Sequence, residues 1–391
     1  MRRLFLFLCL SLTAAAQSDL VKTGFQYFYN LQYDQAIATF SRLVAEKPND
    51  PECHNHLAQA ILYRDMFRAG ALETQMVTGA NPFLRRAKVD ASPEDQRRFD
   101  DAINRAMDLA QARLKEDPKD IPSLYALGVS YGLRANYNFL VRKAWLDSLR
   151  DASTARKWHA KATDIDPGFV DARLIQGVYS YVVGSLPFHW KLLGFVIGFR
   201  GNKQAGIRML EQVARDGKDN RVDAQLLLCA IYRRERQPER AIPLLEELIP
   251  RFPRNFLLPM ELAQMYADAG DKTKALASLN RLEARKRADA PGYARLPIEK
   301  IRFAEGTIQF WYNDLDQALE NMKAAAAATG ELDLNTGVMA WMRLGQIYDL
   351  KGQREAAIQA YRRACSLAPD SEIAKESRQY MSSPYRRGRR G

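Results

Sequence analysis

Residues 341–369 read Trp-Met-Arg-Leu-Gly-Gln-Ile-Tyr-Asp-Leu-Lys-Gly-Gln-Arg-Glu-Ala-Ala-Ile-Gln-Ala-Tyr-Arg-Arg-Ala-Cys-Ser-Leu-Ala-Pro, and their spacing decides the fold. Trp341, Leu344, Gly345 and Tyr348 recur at three- and four-residue steps, the period of one helix face. Ala357, Tyr361 and Ala364 repeat that period on a second helix, which Pro369 ends because proline lacks the N–H that would continue it. Leu344 and Tyr348 supply bulk, whereas Gly345 and Ala357 let the two helices approach closely. The stretch therefore predicts a tight helical hairpin.

The order W-x2-L-G-x2-Y, then A-x3-Y-x2-A, then Pro resembles the tetratricopeptide repeat. The same frame recurs upstream. Residues 222–255 carry Leu228, Tyr232, Ala241, Leu245 and Pro253, and residues 256–289 carry Leu262, Ala263, Tyr266, Gly270, Ala275 and Leu279. Ala241 and Ala275 are 34 residues apart, the family period. Gly24, Tyr27, Ala36, Phe40 and Pro48 form an N-terminal unit, and Gly306, Trp311, Ala318 and Met322 another. Between them the frame is stretched: Pro48 to Pro118 is 70 residues and Pro118 to Pro167 is 49. Helix signatures persist there, which puts the extra residues at hairpin tips. The resemblance implies an all-α, right-handed α-solenoid of about eight tetratricopeptide-type helix hairpins, three with enlarged tips. Residues 17–381 form it, irregular over 17–218 and more regular over 219–381, followed by a basic disordered tail at 382–391.

The 391 residues are 47% hydrophobic and 10% aromatic, which excludes a disordered chain. Four cysteines are too few for a disulfide scaffold. Arg2 and Arg3, an apolar run from Leu4 to Leu12, and Ala14-Ala15-Ala16 read as a signal peptide over 1–16. Its removal lowers the formal charge from +12 to +10 and makes the chain exported, periplasmic or secreted and envelope-associated. That location argues against a nucleic-acid partner.

The three enlarged tips concentrate aromatics and cations. The first holds Phe67, Phe83, Arg85 and Arg86; the second holds Phe139, Arg142, Lys143 and Trp145. The third, residues 184–203, holds Phe188, Trp190, Lys191, Phe195, Phe199 and Arg200. Its apolar core is too short to cross a bilayer, so it reads either as packing or as a contact with a membrane surface or an acidic partner. Around it, Tyr181, Gly-Ser-Leu-Pro, Lys-Leu-Leu-Gly-Phe and Gly-Phe-Arg-Gly-Asn-Lys are similar to a segment of the tetratricopeptide-39 and inclusion-body clearance group, over about residues 170–280. That resemblance implies a membrane-adjacent helical repeat protein.

Catalytic signatures are missing: there is no His-Glu-x-x-His and no Gly-x-Ser-x-Gly. Cys53, His54 and His56 are the one tight set of metal-ligand types, but residues two apart on a helix diverge, so no metal and no cofactor are expected. The expected function is a non-enzymatic exported scaffold that binds a protein partner through its concave face and basic tips. Candidate concave contacts are Arg233, Arg234, Met260, Gln264, Met342 and Gln346, at exposed positions of the repeat frame. The alternative is a periplasmic binder of a small apolar or lipid-like ligand in a solenoid pocket.

Overall fold

Among the residues described by the computed structural model, 19–72, 89–186 and 200–387, there are helices and turns and no strand. The leader expected at 1–16, and Phe188, Trp190, Lys191, Phe195 and Phe199 of the third tip, lie outside them. Contacts divide the chain into two units, one within 1–66 and 88–231, the other within 67–87 and 232–391.

In the first unit, helix α1 (19–29) pairs with α2 (Tyr33–Glu46), and α3 (Pro51–Arg68) with α4 (Pro93–Glu116). Then α5 (Ile121–Tyr137) pairs with α6 (Trp145–Ile165), and α7 (Arg173–Gly184) with α8 (Lys203–Asp216). Helix α9 (Arg221–Arg234) follows, and the unit boundary falls near its end. Glycine sets the closeness of the α1–α2, α5–α6 and α7–α8 pairs. A Cβ on Gly24 would come within 2.3 Å of the Phe40 ring, so no larger residue fits there without displacing that ring. On α5, Gly128 meets His159 of α6 in the same way, an imidazole replacing the aromatic ring. Capping residues start the helices where the sequence turns: Ser92 Oγ accepts from the Asp95 N–H at 3.0 Å and Asp120 Oδ2 from the Ser123 N–H at 3.2 Å.

The extra residues of the second tip are helical: a five-residue π turn, Asn138–Arg142, extends α5, and α6 runs for 21 residues. The chain reverses at Lys143, whose φ is 57°. The reason is a buried polar clamp between the two helices. Arg134 donates to both oxygens of Asp151 at 2.8 and 2.7 Å, and Asn138 Nδ2 donates to the same carboxylate at 3.0 Å. This clamp carries the hairpin past the ordinary repeat length.

In the second unit, the end of α9 leads to α10 (Pro238–Arg251). Helices α11 (Leu257–Asp268) and α12 (Lys272–Arg287), α13 (Ile298–Trp311) and α14 (Leu315–Ala327), and α15 (Leu334–Leu350) and α16 (Arg354–Leu367) form further hairpins. Helix α17 (Glu372–Ser382) caps the stack. The hairpin quoted from the sequence closes as expected: a Cβ on Gly345 would lie 2.5 Å from the Tyr361 ring, which is wholly buried. Phe303, Phe310, Met322, Leu344 and Ile347 join α13, α14 and α15 in one apolar core. The stretch expected as a disordered tail, 382–391, differs over its described part, 382–387, where Ser382 still belongs to α17. Tyr385 packs against that core, and Arg387 donates to the Phe310 carbonyl.

Candidate functional site

The first unit holds a cavity of about 340 Å3 where the N-terminal ends of successive first helices converge. Asp50 and Glu52 come from the start of α3, Arg113 from α4, Tyr125 from α5, and Phe169 and Asp219 from the turns before α7 and α9. Each is held locally. Asp50 Oδ1 accepts the Glu52 N–H at 3.1 Å, opening the helix with Glu52 in its first turn. Arg113 is anchored by a 2.6 Å bond to the Asn49 carbonyl. Tyr125 stacks on His159 at 4.9 Å, meets Phe169 edge-on at 5.1 Å, and receives a 2.7 Å bond from Asn220 Nδ2. The turn bearing Asp219 wraps around Asp171, whose carboxylate accepts the N–H groups of Lys218, Asp219 and Asn220 at 3.1, 3.2 and 2.9 Å.

Crowding these carboxylates in a recess perturbs them. Burial, with Asp50 and Asp219 nearby, pushes Glu52 up to about 7, and burial with Asp171 raises Asp219. Arg113 acts in the opposite direction on Glu52 without cancelling the shift. Further inside the unit, burial raises Asp223 to about 6 although the Tyr29 hydroxyl bonds to it. A cationic group entering the cavity would lower the Glu52 carboxyl back toward its ordinary range.

In the second unit the concave residues expected as exposed contacts are packed. Met260, Met342 and Gln346 are buried, and the groove that Met260 and Gln264 share with Ile308 encloses only about 10 Å3. Arg233 is neutralised by Asp268 at 3.1 Å and Glu261 at 3.8 Å, and Gln264 bonds to Asp268 at 2.8 Å; Arg234 is half-buried. The physical reason is that adjacent first helices lie close enough for these side chains to fill the space between them. Of the tip residues, Arg142 is paired with Asp100 at 2.6 Å and lies over the Tyr137 ring, Trp145 meets Phe139 edge-on at 5.0 Å, and Arg200 is exposed. The metal-ligand types diverge: His54 Nε2 bonds to the Pro48 carbonyl at 2.9 Å, while His56 sits among Phe25 and Phe40. Burial pushes the Cys53 thiol up to about 12.

Sequence reasoning passed over a second set, on α13 and α15. Arg343 is 8% exposed, its guanidinium lies 4.3 Å from the Phe310 ring centre and 4.9 Å from Trp311, and it donates to Gln346 Oε1 at 2.8 Å. No carboxylate pairs with it among the described residues, and burial lowers it to about 10. Six residues on, Asp349 has a fully buried side chain that accepts from Arg354, Tyr361 Oη and the Tyr385 N–H, each at 2.8 Å. Arg343 and Asp349 both stand inside the quoted hairpin. Nothing in its spacing separates them from solvated charges.

Tetratricopeptide-repeat models match residues 20–50, 230–291 and 340–371. No curated protein matches the sequence. Among solved structures, the chain is similar to yeast Tom70, at 14% identity over 94% of this chain and 95% of that one with a TM-score of 0.38. It is similar to the human IFIT1 dimer with m7Gppp-AAAA, at 12% identity over 94% and 87% with a TM-score of 0.44. A third, YrrB, described as a tetratricopeptide-repeat protein with an unusual peptide-binding site, shares 18% identity over 69% and 97% with a TM-score of 0.32.

Proposed function

We propose, for a chain that its repeats identify as a tetratricopeptide-repeat protein, that it is a non-catalytic scaffold holding a protein partner along the first helices of its hairpins. The observation that carries this reading is the cavity of about 340 Å3 in the first unit, lined by Glu52 and Asp219 together with Tyr125 and Phe169. Raised carboxylates beside aromatic walls suit a lysine or arginine side chain of a partner better than an apolar small molecule. The leader-like Arg2–Ala16 stretch supports a location outside the cytoplasm, and the cationic tips support work beside the envelope or a membrane surface. No helix among the described residues is long and apolar enough to cross a membrane.

The test is site-specific photo-crosslinking in cells. A photo-reactive benzoylphenylalanine in place of Phe169 yields protein adducts of discrete mass in the envelope fraction, and the same group in place of Lys323, exposed on α14, does not. Adducts from neither position, together with a lipid-sized ligand retained in native mass spectrometry, would replace the scaffold by the apolar-ligand reading. Recovery of the chain only from cytosol would remove the export.

A further inference from the structure

The segment after α17 does not leave the second unit. Arg354 Nη2 on α16 donates to the carbonyls of Tyr380 and Met381, at 2.8 and 2.6 Å, and turns the chain back over the first helices. There the Tyr385 N–H reaches the buried carboxylate of Asp349 at 2.8 Å. The Tyr385 ring meets Tyr380 edge-on at 5.3 Å and Phe310 at 5.9 Å. Two residues on, the Arg387 guanidinium lies 5.0 Å from the Phe310 ring centre and donates to the Phe310 carbonyl. Main-chain anchoring, an aromatic side chain on an apolar floor and a terminal cation over a ring form the contact set of an extended peptide in a groove.

We infer that the groove between α13 and α15 is a binding site for an extended partner segment with an aromatic residue two positions before an arginine, and that 383–387 occupies it in cis. The inference rests on the scaffold reading and adds the ligand chemistry of one groove. Charge alone does not explain the docking. Arg343 already lies over Phe310, so a second guanidinium on that ring meets repulsion rather than a carboxylate. The aromatic ring and the bond to Asp349 carry recognition, and the arginine adds ring contact and a carbonyl bond. A segment tethered by one turn has an effective concentration near millimolar, so it outcompetes a free peptide present at micromolar levels.

The experiment uses three chains: the full chain, a variant ending at Ser382, and a full-length variant carrying Tyr385→Ala and Arg387→Ala, which keeps the fold testable if truncation unfolds α17. The probe is a fluorescein-labelled peptide of residues 382–391, with a control peptide bearing the same two substitutions, read by fluorescence anisotropy at physiological and at raised salt. Both altered chains bind the native peptide about tenfold more tightly than the full chain does, and the control peptide about tenfold more weakly. The preference for the native peptide persists in salt. Folded variants, verified by circular dichroism, that bind the peptide no better than the full chain would overturn the inference, as would equal binding of both peptides. If the Phe169 crosslinks persist while the peptide fails, only this inference falls; if the crosslinks vanish, the scaffold reading falls with them.

Discussion

In the first unit, Glu52 and Asp219 line a cavity of about 340 Å3 whose lining cation, Arg113, leaves Glu52 raised to about 7. In the second, a buried cation, Arg343, has no carboxylate among the described residues, and the surface beside it is covered by Tyr385 and Arg387. The two units use the same hairpin and the same glycine contact, yet one presents an open acidic recess and the other a filled groove. The difference lies in side chains the repeat pattern leaves free. A hairpin needs Gly345 opposite Tyr361, but nothing in that packing dictates what stands at 343 or 349. What distinguishes the two units is therefore written at the positions between the signature residues.

The severest way to break the comparison is to remove the feature both units share. Tyr361→Ala deletes a wholly buried ring against Gly345 and its bond to Asp349, and should destabilise the second unit by about 3–5 kcal/mol. Chemical denaturation with a probe in each unit checks this. Equal loss in both units would show that they unfold as one.

Acid separates the units next. All four histidines lie at or before position 189, and burial lowers both His56 and His159 to about 4. A histidine whose folded value is depressed contributes stability that is present above its unfolded value of about 6.5 and is lost as pH falls through the folded value. Each of the two withdraws on the order of 3 kcal/mol from the first unit between those limits. Desolvation is the cause at His159, which is buried: it outweighs the carbonyls of Ala172 and Tyr125, 3.0 and 3.1 Å from the two ring nitrogens, which by themselves favour the imidazolium. His56 and His159 resonances that titrate near 6.5 in the folded protein would remove this difference.

Glu52 runs the other way. Its folded value is raised, so the carboxylate is tolerated when protonated and penalised as pH climbs from about 4.5 past about 7. Glu52→Gln should therefore stabilise the first unit at pH 8, by about 2 kcal/mol after allowing for partial exposure, and should change little at pH 4.5. Thermal melts at the two pH values check the sign. The same substitution should weaken a basic partner, so a gain in stability paired with a loss of Phe169 crosslinks is the signature of a recess kept for binding.

The hairpins were legible because their information is local. Gly24 with Phe40 and Gly345 with Tyr361 are each 16 residues apart, inside one repeat, and recur along the chain. The sites were not, because their partners are brought together only by stacking. Asp349 meets Tyr385 across 36 positions and Phe310 meets Arg387 across 77, with no repeat to signal either pairing. The length of the second tip was legible too, but its form was not: the Arg134, Asn138 and Asp151 clamp holds it as helix, and nothing in the spacing of those three residues signals that they meet.

The smallest effect tests a residue on which sequence and structure suggest different roles. Composition marks Arg142 as a contact cation of the second tip, whereas the fold pairs it with Asp100 at 2.6 Å and lays it over Tyr137. Both partners of that pair are about one-third exposed or more, so the pair is worth about 0.5–1 kcal/mol, and a double-mutant cycle with Arg142→Ala and Asp100→Ala should return a coupling of that size. A structural role predicts that Arg142→Ala and Asp100→Ala lower stability alike and leave crosslinking from Phe169 unchanged. A contact role predicts that Arg142→Ala alone lowers crosslinking, because removing Asp100 frees the guanidinium for a partner. The exposed Leu146 and Leu149 on the first turns of α6 give an internal control: changing either to Ser should move stability by less than about 0.5 kcal/mol, so a loss of adducts there reports contact rather than folding.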